Sequence, residues 1–311
     1  MSPEPRSESR SRQAHLQAVK SDCTTIVVKA RADTVHGKTL AVKVLLLPPA
    51  FIADDNAAEK ALKDFGLEQD TLPSIWHQNV MRIWGKYDMP VQLLVQHYPL
   101  LQSALQHVVF PSLPATIMSW IGGPAVTLDK FIWSSALKVH LPLLLRIGEQ
   151  IAMALDALHS AEIPVVHRDL APDNIMITYH GCLMFHVHLV DFGLSRFVAR
   201  TGHLHTNHHL VCKTSYIAPE LLNAAPGPLA NGCQVDIFSL GMVLLFMATG
   251  GVVHGNGGPS ALMQNNVQSR SLALLINQCT SHDASIRPSA WEVYRRLVDV
   301  QFEQMRANAK K

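Results

Sequence analysis

"VVHRDLAPDNIMI", residues 165–177, is the stretch whose reading decides the fold. Apolar residues at either end, Val165 and Val166, then Ile175 and Met176, frame a polar loop. Within it Asp169 is a carboxylate able to accept a proton from an attacking hydroxyl, and Asn174, five residues on, offers an amide oxygen to a hard cation. Arg168 next to Asp169 is a guanidinium in need of an anion. Alone, these residues also fit turns that cap two strands. Their meaning depends on what else the chain carries.

The composition describes a folded chain with long buried segments. Hydrophobic residues make up 48% and charged residues 16% of the 311 positions, against ~25% charged in typical soluble proteins. A formal charge of +2 gives no global argument for a nucleic-acid or membrane partner. The five cysteines, Cys23, Cys182, Cys212, Cys233 and Cys279, form no paired motif, so a reducing compartment is expected, cytoplasmic or nuclear. Residues 1–20 lack an apolar signal run and carry Ser2 where myristoylation requires glycine; they read as a disordered tail. "IFSLGMVLLFMATGGVV" (237–253) is apolar but shorter than the ~20 residues that cross a bilayer, and reads as a helix buried on all sides.

Along the chain, two β-rich runs at 24–30 and 39–47 flank a His-Gly turn and predict a hairpin. Residues 54–72 read as helix, with Pro73 near its end, and strands are expected at 80–86 and 115–121. The apolar insertion at about 88–112 has no evident place. After the glycines at 122–123 the character changes to helical stripes at 141–160, 236–249 and 289–306, with a short strand pair around 175–190. The reading is a small β-rich half over 21–118, a boundary at 119–123 and a larger helical half over 124–300, followed by a tail to 311. Such a boundary creates a cleft, and clefts are where ligands bind.

Further groups with definite chemical tasks stand in order around the loop. "LVDFGLSR" (189–196) puts Asp191 at the end of an apolar run, before Gly193. Asp191 with Asn174 makes an oxygen set suited to Mg²⁺, which takes one or two carboxylates plus substrate phosphates. Lys43 closes the alternation in "TLAVKV" and is able to neutralise phosphate charge. "SYIAPE" (215–220) and "IRPS" (286–289) supply Glu220 and Arg287, a candidate buried pair.

This order resembles the eukaryotic protein kinase family over roughly residues 20 to 300, on "AVK" at 41–43, "HRDLAPDN" at 167–174, "DFG" at 191–193, "APE" at 218–220, "DIFSLG" at 236–241 and Arg287. The resemblance implies an α+β fold, the two-lobed protein-kinase fold with a small β-rich N-lobe and a larger helical C-lobe. It implies transfer of the γ-phosphoryl group of ATP to a protein Ser or Thr hydroxyl, with Asp169 as base and Asn174 and Asp191 holding Mg²⁺. Lys43 would grip the α- and β-phosphates, and Val27, Ala41 and Met176 would enclose the adenine. Asp236 would anchor the catalytic loop, and Arg168 points to control by a phosphorylated activation loop and hence an upstream kinase. Glu68 is the expected partner of Lys43, with Glu59 as the alternative; Leu72 would join an apolar spine with Phe192 and His167. A protein substrate, no nucleic acid and no membrane span complete the expectation.

Three departures bear on how the phosphates are held. The family's three glycines would fall at Lys20, Asp22 and Thr25, where side chains obstruct the approach of backbone N–H groups to phosphate. Ala171 replaces the Lys that contacts the γ-phosphate in Ser/Thr kinases. Lys213 stands seven residues before Glu220, in place of a Thr that neighbours that Lys, and would restore the cation. These departures keep a second reading open, a pseudokinase that works as a binding or scaffold module. The histidines at 203, 205, 208 and 209 read as a solvated loop rather than a metal site.

Overall fold

A computed structural model describes residues 17–21, 25–31, 39–46, 59, 62–63, 65–66, 69–70, 72–105, 111–134, 140–179, 185–198, 204–206, 214–222, 227–229, 232–251 and 269–309. The chain divides into two compact units, Met1–Lys63 with Ile83–Trp120, and Asp64–Arg82 with Ile121–Lys311.

The first unit is an antiparallel sheet of five strands: β1 (Gln17–Ser21), β2 (Thr25–Arg31), β3 (Thr39–Leu45), β4 (Ile83–Pro90) and β5 (Ser112–Ser119). Their order is β1-β2-β3-β5-β4. β-branched and apolar side chains alternate along β2 and β3, so Ile26, Val28, Val42 and Val44 share one face and form a core with Leu113 and Ala115. The apolar insertion covers this face. It folds as α1 (Val91–His97) and α2 (Gln102–Leu105), and buries Leu94 and Leu105 in the same core. β1 starts at Gln17, so the sheet takes in residues that the sequence reading gives to a disordered tail; their pairing to β2 is the cause.

In the second unit β6 (Ala125–Thr127) leads into α3 (Leu128–Ser134), and α4 (Leu141–His159) follows. The short strands are β7 (Val165–Val166), β8 (Ile175–Tyr179), β9 (Phe185–Leu189), β10 (Arg196–Phe197), β11 (Leu204–Thr206) and β12 (Gly227–Leu229). Further helices among the described residues are α5 (Pro219–Leu222), α6 (Gln234–Ala248), α7 (Arg270–Cys279) and α8 (Ala290–Asn308). α6 is buried around its whole circumference, which is why its sequence carries no polar stripe. Among the described residues no helix is long and apolar enough to cross a membrane.

Residues 64–82 differ from expectation. The sequence reading keeps them with the small β-rich half and starts a strand at 80, whereas their described part packs within the second unit and β4 starts at Ile83. The backbone at 79–81 is committed to β9: Leu189 N donates to Asn79 O at 2.8 Å and Met81 N to Leu189 O at 3.0 Å. The fully buried Asn79 amide donates to Val187 O at 2.7 Å and to Gln150 Oε1 of α4 at 2.9 Å. The tail boundary at 300 also moves, because α8 continues to Asn308 behind a Ser289/Glu292 capping box.

Candidate active site

The loop between β7 and β8 is held from below by one carboxylate. Asp236 lies in the first turn of α6 and is fully buried. Its Oδ2 accepts from His167 N at 2.8 Å and its Oδ1 from Arg168 N at 2.9 Å. A third donor, His159 Nε2 at the end of α4, reaches Oδ2 at 2.9 Å. Burial pushes the Asp236 carboxyl up, but the hydrogen bond and charge of His159, with the backbone N–H of His167, outweigh it and hold it below the usual carboxylate range. The sequence reading missed His159. The signal for it was general: a buried Asp in an apolar helix needs several donors.

With its backbone clamped, the loop takes a strained course. Arg168 has φ 66° and Asp191 φ 65°, the left-handed region that side-chain-bearing residues rarely adopt and that concentrates at functional sites. His167 ties the two strained points together. Its Nε2 donates to Val190 O at 3.2 Å, its Nδ1 accepts from Asp169 N at 3.4 Å, and its ring packs on Phe192 with centroids 4.7 Å apart. Leu72 is buried, in a 3-10 turn at Leu72–Ser74 rather than within a helix.

Asn174 and Asp169 are in direct contact. Asn174 Nδ2 donates to Asp169 Oδ2 at 2.7 Å and to Asp169 O at 2.8 Å. Asn174 N donates to Ala171 O at 2.9 Å, closing a 3-10 turn over Pro172–Asn174, and Asn174 O accepts from Val190 N at 3.0 Å. Both amide hydrogens are thereby directed at Asp169, which leaves the amide oxygen of Asn174 as the atom offered to a cation. Ala171 is itself buried at the start of this turn.

Farther along, Arg287 and Glu220 form a two-pronged ion pair, Nη1 to Oε1 at 2.6 Å and Nη2 to Oε2 at 2.8 Å. Arg287 also donates from Nε to Ser281 O at 2.9 Å and from Nη1 to Gln234 O at 2.9 Å, and its guanidinium lies 5.1 Å from the Phe238 ring centroid. Met176 is half-buried on β8, opposite Thr127 of β6 and His188 of β9.

In the first unit Lys43 stands on β3 opposite Val27 of β2 and Thr116 of β5. Ala41 and Lys43 lie two residues apart, on the strand face opposite Val42 and Val44, and both are buried at 5% and 6% exposure. Val27 is half-buried and also pairs with Lys20 of β1. Glu59 is helical and exposed. Glu68 and Lys213, like Asp22 and histidines 203, 208 and 209, lie outside the described residues.

Residues 26–309 match the protein kinase domain. The chain belongs to the protein kinase family. Its kinase domain is 28% identical over 270 residues to the serine/threonine-protein kinase PkaA of Streptomyces coelicolor, covering 84% of this chain and 43% of that protein. A probable serine/threonine-protein kinase of Clostridium acetobutylicum is 28% identical over 245 residues, 79% of this chain and 31% of the relative. A serine/threonine-protein kinase of Schizosaccharomyces pombe is 26% identical over 250 residues, 78% of this chain and 46% of the relative. The chain spans less than half the length of each of these relatives.

Proposed function

We propose that this kinase domain transfers the γ-phosphoryl group of Mg·ATP to a Ser or Thr hydroxyl of a protein substrate. The observation that carries the reading is the Asn174–Asp169 contact inside a loop fixed by Asp236. Asp169 is half-buried and oriented by a neutral donor, which suits its carboxylate to orient the substrate hydroxyl and accept its proton. Relatives named as serine/threonine-protein kinases support the choice of hydroxyl.

The donor set fits magnesium, with one amide oxygen from Asn174 and one carboxylate from Asp191, few protein ligands of hard oxygen type. Bound Mg·ATP supplies the transferable group and the divalent charge that screens it. Around it, Lys43 would hold the α- and β-phosphates, Val27, Ala41 and Met176 would enclose the adenine, and Arg168 would answer to a phosphate that an upstream kinase places on the activation loop. Glu220 and Arg287 tie α5 to the start of α6.

The test is phosphate incorporation by purified protein with Mg·ATP, into itself and into a degenerate Ser/Thr peptide library, beside Asp169→Asn. The expected result is signal in the wild type and background in the variant. Equal background signals in both would reject the enzyme. A nucleotide-induced thermal shift would then distinguish a scaffold that binds ATP from one that does not.

A further inference from the structure

α8 uses one face for the core and leaves a second apolar stripe uncovered. Ala290, Val293, Leu297 and Val300 are buried. On a neighbouring face, Trp291 is 50% exposed, Phe302 52% and Met305 51%. Tyr294 and Val298, both half-buried, complete the stripe, with the Tyr294 ring 5.2 Å from that of Trp291. Spacings of three and four residues keep these positions in line on a helix. A stripe of this length is the kind of exposed apolar surface that marks an interaction site.

The charges beside the stripe identify the occupant. Glu292, Arg295, Asp299, Glu303 and Arg306 are all exposed along one flank. Laid antiparallel against itself, the helix sets Arg306 against Glu292 of the other copy and Arg295 against Glu303. The midpoint of both pairs is residue 299, and the midpoint of the Trp291–Met305 stripe is residue 298. One register therefore satisfies the apolar and the ionic contacts together, and two-fold symmetry makes each twice. Both carboxylates are already steadied from within their own chain. Glu292 Oε2 accepts from Ser289 N at 2.7 Å, and Glu303 Oε2 from Ser271 Oγ at 2.8 Å.

We propose that α8 is a self-association surface, pairing antiparallel with α8 of a second copy of this chain. Asp299 then faces its own symmetry mate, a like-charge contact that keeps the dimer weak and reversible.

The test is sedimentation equilibrium of the full chain from micromolar to near-millimolar concentration. The expected result is a mass rising toward twice that of the monomer, absent in Phe302→Asp, weakened several-fold in Arg295→Glu and recovered in Arg295→Glu/Glu303→Arg. Asp299→Asn should tighten association. Phe302 is half exposed, and unchanged circular dichroism checks that the variant is folded; Met305→Lys serves if it is not. A monomer at every concentration overturns the proposal, as would be the case if another partner covers the stripe. So does a dimer that persists in both stripe variants, or a double charge variant no stronger than Arg295→Glu.

Discussion

The side-chain amide of Asn174 points both of its hydrogens at Asp169, 2.7 Å from the carboxylate and 2.8 Å from the backbone oxygen. Asn174 is itself buried, so removing its side chain takes away both hydrogen bonds and leaves a void. Asn174→Ala is therefore expected to lower stability by about 1–3 kcal/mol. If Asp169 is the base, the same change lowers kcat on the order of 10²–10³-fold, the usual effect of removing one preorganised polar group from a transfer site. Steady-state kinetics beside a thermal melt separates the two effects, and a rate close to wild type would count against the assignment.

Asp236 is expected to dominate the stability of the catalytic loop. Three donors converge on it in a site without solvent. Asp236→Ala leaves them unpaired, and removing one partner of a buried ionic cluster costs roughly 3–5 kcal/mol. Its carboxyl titrates below the ordinary range. A depressed folded value means that the stabilisation is fully present above the unfolded pKa of about 3.9 and is lost as pH falls through the lower folded value. Urea unfolding of wild type and Asp236→Asn should show a constant gap at neutral and mildly acid pH that closes below about pH 4. A gap that closes near neutrality would contradict this linkage.

The sequence disclosed this part of the site because its residue types are constrained by chemistry at fixed spacing. A buried carboxylate in an otherwise apolar helix, a carboxylate–amide pair on one loop and an Asp before Gly193 all leave marks in the chain. Other features left none. His159 looks like any last-turn histidine until Asp236 folds against it. Asn79 looks like a turn residue, and only the folded chain brings β9 and Gln150 to its amide. The insertion at 91–105 is apolar without a clear stripe because it covers a sheet face whose strands lie far away in sequence. Long-range pairing, not local propensity, decides such segments.

Arg287 is expected to resist conservative replacement. Its guanidinium makes two contacts to Glu220 and one to each of two backbone carbonyls, while its face lies over Phe238. A lysine ammonium matches neither the fork nor the stacking. Arg287→Lys should destabilise the second unit by roughly 2–5 kcal/mol, most of it recurring in Glu220→Gln. In a double-mutant cycle the two changes together should cost clearly less than the sum of each alone. Additive effects would mean that the pair is not coupled.

Gly241 and Gly148 give a paired test of packing at α6. A Cβ at Gly241 would lie 2.7 Å from Cys279 Cβ, 2.8 Å from Thr280 Cγ2 and 3.3 Å from the Cys279 carbonyl carbon. The two Cys279 atoms are fixed by the α7 backbone and cannot turn aside by rotation of a side chain, whereas the Thr280 methyl can. At Gly148 of α4 the added carbon would meet Leu244 Cδ2 at 2.8 Å and Leu297 Cδ1 at 3.1 Å, ends of side chains that can change rotamer. Ala also favours a helix interior over Gly by about 1 kcal/mol. The overpacking penalty of about 1–3 kcal/mol should therefore exceed this gain at Gly241 and be largely offset at Gly148. Denaturant midpoints of Gly241→Ala and Gly148→Ala should fall in that order, the first clearly below wild type and the second close to it. Equal midpoints would show that α7 shifts away from α6 as easily as a leucine rotates.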